Sequence, residues 1–124
     1  AKLGAPEKLV VNIMGDASIG MSGMDIETAV RHQIPILTIV LNNHVLSGYS
    51  RNYPVATERF GFTNLHGEYA NLANALGAHG ERVEEPGEIL PALQRAREVM
   101  ATGRPALLEF MTKEENTLSR YPAR

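Results

Sequence analysis

Leu9-Val10-Val11-Asn12-Ile13-Met14-Gly15-Asp16 opens a segment that continues through Ile26-Glu27-Thr28-Ala29-Val30-Arg31 and Ile34-Pro35 to Ile36-Leu37-Thr38-Ile39-Val40-Leu41-Asn42-Asn43. The first run is short, apolar and partly β-branched, and it stops at Gly15-Asp16, as a buried strand of a parallel sheet does. Ser22 with Asp25 three residues later predicts a capping-box helix start, with Ile26, Ala29 and Val30 on one face and Pro35 closing the helix. Ile36 to Leu41 is a second fully apolar strand, halted at Asn42-Asn43. The segment therefore reads as a βαβ unit.

The same alternation continues downstream. Tyr69, Leu72, Ala73 and Leu76 recur at helical spacing up to Gly77, and a short strand is expected around Glu81 to Val83. Pro86 opens a helix with Ile89, Leu90, Leu93, Ala96 and Val99 inward, Gly103 ends it, and Pro105 precedes a last strand, Ala106 to Met111. These cycles predict an α/β fold: three layers, α/β/α, around a mostly parallel sheet covered on both faces. From Asn42 to about His66 the chain lacks clear periodicity, whereas ordinary βα connections run about 2 to 6 residues. Tyr49, Tyr53, Phe60 and Phe62 are expected to anchor this stretch by packing. With no repeats, low-complexity tracts or linker, residues 1–124 form one expected domain, with a frayed polar tail after Thr112.

Composition narrows the function classes. The 124 residues are 44% hydrophobic and 21% charged, with net charge -2, a balance suited to a soluble globular domain. Lys+Arg 12 against Asp+Glu 14, scattered without blocks, argues against nucleic acid or an anionic membrane as partner. Cys 0 removes disulfides and thiolate sites. Apolar runs such as Ile34 to Leu41 are too short to span a bilayer, so the default location is the cytoplasm.

Asp16 and Asn42-Asn43 both fall just past the carboxyl ends of parallel strands, where open α/β sheets bind ligands. If those strands are neighbours, a carboxylate and a carboxamide stand about 5 Å apart. Together with backbone carbonyls they are hard oxygen ligands, suited to Mg²⁺ held by few protein groups and a phosphate. Small residues Gly15, Ala17, Ser18 and Gly20 flank the carboxylate, and a helix N-terminus at Ser22 would offer free donors to an anion. The pattern fits a phosphorylated cofactor with bridging magnesium. Each residue alone could instead be only a turn residue or cap. Ser18 lacks the glycine two positions earlier that a nucleophile elbow needs, since Asp16 stands there. His32, His44, His66 and His79 have no short ligand spacing, and Met14, Met21 and Met24 are expected to fill core or pocket wall.

Gly15-Asp16-Ala17-Ser18, Ile26 to Arg31, Ile34-Pro35 and Leu41-Asn42-Asn43 resemble the diphosphate-binding domain of thiamine-diphosphate enzymes, whose motif starts Gly-Asp-Gly and ends Asn-Asn. The 27 positions from Asp16 to Asn43 match the family's usual spacing. Gly103-Arg104-Pro105-Ala106-Leu107-Leu108-Glu109 is similar to the last strand in acetolactate-synthase-like members. The resemblance implies a truncated thiamine-diphosphate-binding fold. It also implies that Asp16, the Asn43 side chain and the Val45 carbonyl bind Mg²⁺, that Gly15, Ala17 and Ser18 line the cofactor's diphosphate, and that Asn42 braces the turn. Ala17 replaces the commoner glycine, adding one methyl while keeping the backbone donor. Thiamine diphosphate carries the carbanion chemistry, and the protein holds it and excludes side reactions.

In the family a glycine-rich helix and strand precede the position of Ala1, and the glutamate that activates the cofactor's aminopyrimidine sits on a separate pyrimidine-binding domain. The resemblance thus implies a fragment of a larger enzyme acting on 2-oxo acids, by carboligation or decarboxylation. Its partner would be that pyrimidine-binding domain, in the same or a neighbouring subunit of a homo-oligomer. A receiver-like binding module built on Asp16 is the alternative; it would want acidic neighbours and a lysine at a later strand end, for which Lys113 is the candidate. A structural remnant that only dimerises is a third reading.

Overall fold

Four strands form one parallel sheet in a computed structural model that describes residues 1–114. They are β1 (Val11–Gly15), β2 (Leu37–Asn42), β3 (His79–Val83) and β4 (Ala106–Met111), in spatial order β1-β2-β4-β3. The polar tail expected to fray lies, beyond Glu114, outside the described residues. The strands that bound the opening segment are neighbours, with Gly15 opposite Leu41. The last of the four in sequence is internal to the sheet, with Val40 opposite Glu109 on one side and Arg82 opposite Glu109 on the other.

The period of two along each strand sorts side chains to two faces. Leu37, Ala106, Leu108 and Val83 meet Ala92, Ala96 and Met100 of α6 (Ile89–Met100) on one face. On the other, Val40 and Leu107 pack with Ile19 of α1 (Ile19–Ser22) and with Ala73 of α5 (Tyr69–Ala75). Ile26 and Val30 of α2 (Asp25–Arg31) join that second cluster. The architecture is the expected three-layer α/β/α fold.

Several local expectations change. Ser22 ends α1 and does not cap a helix: α2 begins at Asp25, and no side chain caps it. The chain turns helical directly after β1, in a tight turn at Asp16–Ser18, well ahead of Ser22. With only Ile19 of α1 buried, Met21 and Met24 point to solvent, and Met14 alone of the three joins a core. In α6, Leu90 is exposed because the neighbouring Ile89 takes the inward direction. Gly103 ends this helix with φ 90°, a backbone conformation that favours glycine.

The long connection holds two short helices, α3 (Tyr49–Asn52) and α4 (Pro54–Phe60). Its base is tied by Leu46 N–H to Thr63 O at 2.8 Å and by Leu65 N–H to His44 O at 2.8 Å. Tyr49 stacks on Tyr53, which meets Phe62 edge-on, yet all three rings stay largely exposed, and Phe60 more so. Tyr49, Tyr53 and Phe62 hold one another. Coverage of the sheet is also incomplete: α6 packs on β4 and β3, leaving Val11, Ile13 and Leu41 of the same face exposed.

Candidate functional site

Because β1 and β2 run parallel and in register, their carboxyl ends deliver Asp16 and the Asn42-Asn43 pair to one edge of the sheet. Asp16 is 4% exposed, and its two oxygens are spoken for by backbone donors: Oδ1 accepts from Ala17 N–H at 2.9 Å, and Oδ2 from His44 N–H at 2.9 Å. That second bond crosses from the end of β1 to the turn after β2. The two motif ends are thereby physically joined.

Asn43 folds into a local turn, its Oδ1 accepting from Val45 N–H at 3.1 Å while its Nδ2 donates to Ser47 Oγ at 2.9 Å. The Val45 carbonyl accepts from Ser47 N–H at 3.0 Å. Each of these oxygens carries a second lone pair, so the donor set of one carboxylate, one amide oxygen and one carbonyl remains able to meet a hard cation. Gly15, Asp16, Ala17, Asn43 and Val45 line one cleft of about 440 Å³. A Cβ placed on Gly15 would meet nothing within 4 Å, so the glycine leaves the cleft floor open. Chemically and spatially these residues fit a divalent cation with a diphosphate.

Of the residues that the resemblance assigned to cofactor or metal, Ser18 alone is not among the cleft's walls, and Gly20 and Asn42 are not among them either. Ser18 sits at the end of the tight turn. Leu46, Ser47, Thr112 and Lys113 are also among the walls. Ser47 could have been suspected from its place four residues after Asn43, but Thr112 and Lys113 arrive because β4 lies beside β2, an adjacency no sequence spacing reveals. Lys113 thus stands near Asp16 as the receiver-like reading wanted; among the described residues, however, no group of three His, Cys, Asp or Glu side chains could hold a metal, and the acidic neighbours are missing. The four histidines contribute no side chain to the cleft.

Behind the cleft, Asn42 is fully buried and braces the turn as the resemblance implied. Its Oδ1 accepts from His44 N–H at 3.0 Å, and its Nδ2 donates to Glu109 Oε1 at 2.6 Å. Glu109 is also fully buried and was not singled out from sequence, where it is one acid in an apolar strand. Tyr69, at the start of α5, lies close enough to feel both acids: burial, then the charges of Asp16 and Glu109, push its phenol above the ordinary value.

Residues 1–110 match the family model described as thiamine pyrophosphate enzyme, C-terminal TPP binding domain. The chain belongs to this family. It is 38% identical over 122 residues to a probable acetolactate synthase of Mycobacterium bovis (strain ATCC BAA-935 / AF2122/97), covering 90% of this chain and 20% of that protein. A sulfoacetaldehyde acetyltransferase of Alcaligenes xylosoxydans xylosoxydans is 35% identical over 118 residues, with 93% and 20% covered. A 2-hydroxyacyl-CoA lyase of Oryza sativa subsp. japonica is 35% identical over 106 residues, with 77% and 18% covered. The fold matches that of a solved Rhodococcus jostii RHA1 thiamine diphosphate-dependent 4-hydroxybenzoylformate decarboxylase, with TM-score 0.73 at 20% identity, over 94% of this chain and 22% of that one. This TPP-binding domain therefore spans about one fifth of the length of these relatives. None of its described helices is long and apolar enough to cross a membrane.

Proposed function

We propose that the chain holds the diphosphate of thiamine diphosphate through Mg²⁺, as part of a larger enzyme acting on 2-oxo acids in an acetolactate-synthase-like carboligation or decarboxylation. The observation that carries this reading is the junction of Asp16 with the turn after β2, which gathers Asp16, Asn43 and the Val45 carbonyl at one cleft in a chain of the TPP-binding family. Asp16 supplies the one full negative charge of the set, Asn43 and Val45 supply neutral oxygens, and Gly15 and Ala17 keep the floor low enough for a diphosphate. Ser18 is retained as a diphosphate contact through its backbone at the tight turn. When bound, thiamine diphosphate supplies the carbanion chemistry. The residues of this chain bind and orient it.

The apolar side chains left uncovered at β1 and the end of β2 support a partner seated on that face, in the sense that contiguous exposed apolar surface marks an interface. The proposed partner is a pyrimidine-binding domain of the same or a neighbouring subunit in a homo-oligomer, bringing the glutamate that activates the aminopyrimidine.

Calorimetric titration with thiamine diphosphate and MgCl₂ tests the binding reading. Asp16→Ala is expected to weaken Mg²⁺-dependent affinity about a hundredfold, which is ~2.7 kcal/mol. Affinity that is unchanged in that variant would sink the assignment. The 124 residues alone are expected to release no carbon dioxide or acetolactate from pyruvate with both cofactors present. Turnover by this chain on its own would overturn the division of roles with a partner domain.

A further inference from the structure

We infer that Glu109 is a positioning residue for the cofactor cleft, holding through Asn42 the turn after β2 that presents Asn43 and Val45 and is bonded to Asp16; this rests on reading the cleft as the metal and diphosphate site. Glu109 sits on β4, inside the sheet, opposite Val40, and is 0% exposed. Burying a carboxylate is costly unless its oxygens find donors, and an apolar residue of similar size would fill the space without that cost. Both oxygens do find donors, and neither donor is a cation: Oε1 accepts from Asn42 Nδ2 at 2.6 Å, and Oε2 from Ala70 N–H at 2.9 Å.

A carboxylate can only accept, so its contact decides which way the Asn42 amide faces. With Nδ2 turned to Glu109, Oδ1 is turned to His44 N–H, 3.0 Å away. His44 needs that help, because its φ of 60° is the left-handed conformation that side-chain-bearing residues avoid. The same N–H is shared with Asp16 Oδ2. One buried acid thus reaches the carboxylate of the proposed metal set through three hydrogen bonds, by way of Asn42 and His44, and its other oxygen ties down the first turn of α5. Gly67 O, just before that helix, also lies within reach of Asn42 Nδ2, at 3.4 Å.

Glu109→Gln tests this directly, since whichever way the new amide turns it aims one N–H at a donor, either Asn42 Nδ2 or Ala70 N. The paired change Glu109→Gln with Asn42→Asp restores the bonds to His44 N–H and Ala70 N–H and the one between the two side chains, whose polarity is reversed, and loses only the 3.4 Å contact to Gly67 O: the introduced amide would donate to the new carboxylate, which still accepts from His44 N–H. Two readouts are taken: amide exchange of His44 in the cofactor-free chain, and Mg²⁺-dependent thiamine diphosphate affinity. Ala96→Gly, in α6 on the opposite face, serves as a destabilised control. Glu109→Gln is expected to speed His44 exchange and weaken affinity at least tenfold. The paired variant should recover both to within about threefold, and the control should keep its affinity.

Unchanged exchange and affinity in Glu109→Gln, or a folded paired variant that recovers neither, would overturn the inference. So would a control that loses affinity as much as Glu109→Gln, which would make the effect one of stability alone. If Glu109→Gln does not fold, the paired variant decides by itself. If the unaltered chain takes up no thiamine diphosphate with Mg²⁺, the cofactor reading fails, and His44 exchange still decides whether Glu109 holds the turn.

Discussion

One row of side chains crosses the sheet from Ile13 on β1 through Ile39 on β2 to Leu108 on β4, all three in register and on the same face. Leu108 is 0% exposed beneath α6, whereas Ile13 at the other end is 64% exposed. Both strands are rich in large aliphatic residues, so composition alone does not separate them. The difference is cover: α6 is a single 12-residue helix and packs on β4 and β3. An apolar strand in a parallel sheet asks for two covered faces. This chain meets that demand at β4 and leaves it half met at β1.

The sharpest way to break the contrast is a pair of truncations along the row. Leu108→Ala is expected to cost about 3 kcal/mol, because it removes a fully buried side chain from a packed cluster, while Ile13→Ala should cost less than about 1 kcal/mol. Urea unfolding of both variants measures this, and equal losses would mean that β1 is covered in solution. A charge placed on the open end should change association more than stability. For Ile13→Lys we expect a sedimentation coefficient shifted toward monomer, with the urea midpoint nearly unmoved; unaltered self-association would remove β1 from any interface.

The smallest expected effect lies on the covered side, at Tyr69. Its phenol ionises later in the folded chain than in the unfolded one, so this group's contribution is fully present at neutral pH and is lost as pH climbs from about 10, its ordinary value, through the raised folded value. Tyr69→Phe should flatten the alkaline fall in stability seen by thermal unfolding between neutral pH and that range. A fall as steep in the variant would assign it elsewhere.

What can be read from the chain divides along similar lines. The βαβ unit is legible because Leu9 to Asp16 and Ile36 to Asn43 state their strands and stops locally, and the junction of Asp16 with the second stop follows from parallel geometry. The last strand is legible to its ends at Ala106 and Met111, through Pro105 before it and the change to polar residues after it. Lateral order is not legible. That β4 sits beside β2 decides that Thr112 and Lys113 reach the cleft and that Glu109 meets Asn42, and this order depends on contacts between segments far apart in the chain. Ser22 misleads for a different reason: a Ser with Asp three later is a good cap in isolation, but Ile19 is drawn into the core and starts a helix earlier. In the long connection, the rings of Tyr49, Tyr53 and Phe62 promise burial and find one another.

The strand order also sets a schedule for folding. β4 is made after the other three yet lies between β2 and β3, so until Ala106 to Met111 have been synthesised β3 has no strand beside it and β2 has only β1. The bond from Asn42 to Glu109 closes a loop with a sequence separation of 67 residues, and long closures of this kind slow the search for the native state. On the ribosome, the apolar run Leu37 to Val40 must therefore wait, exposed, for a strand that begins only at Ala106, which makes it the stretch where a chaperone would be expected to bind the nascent chain.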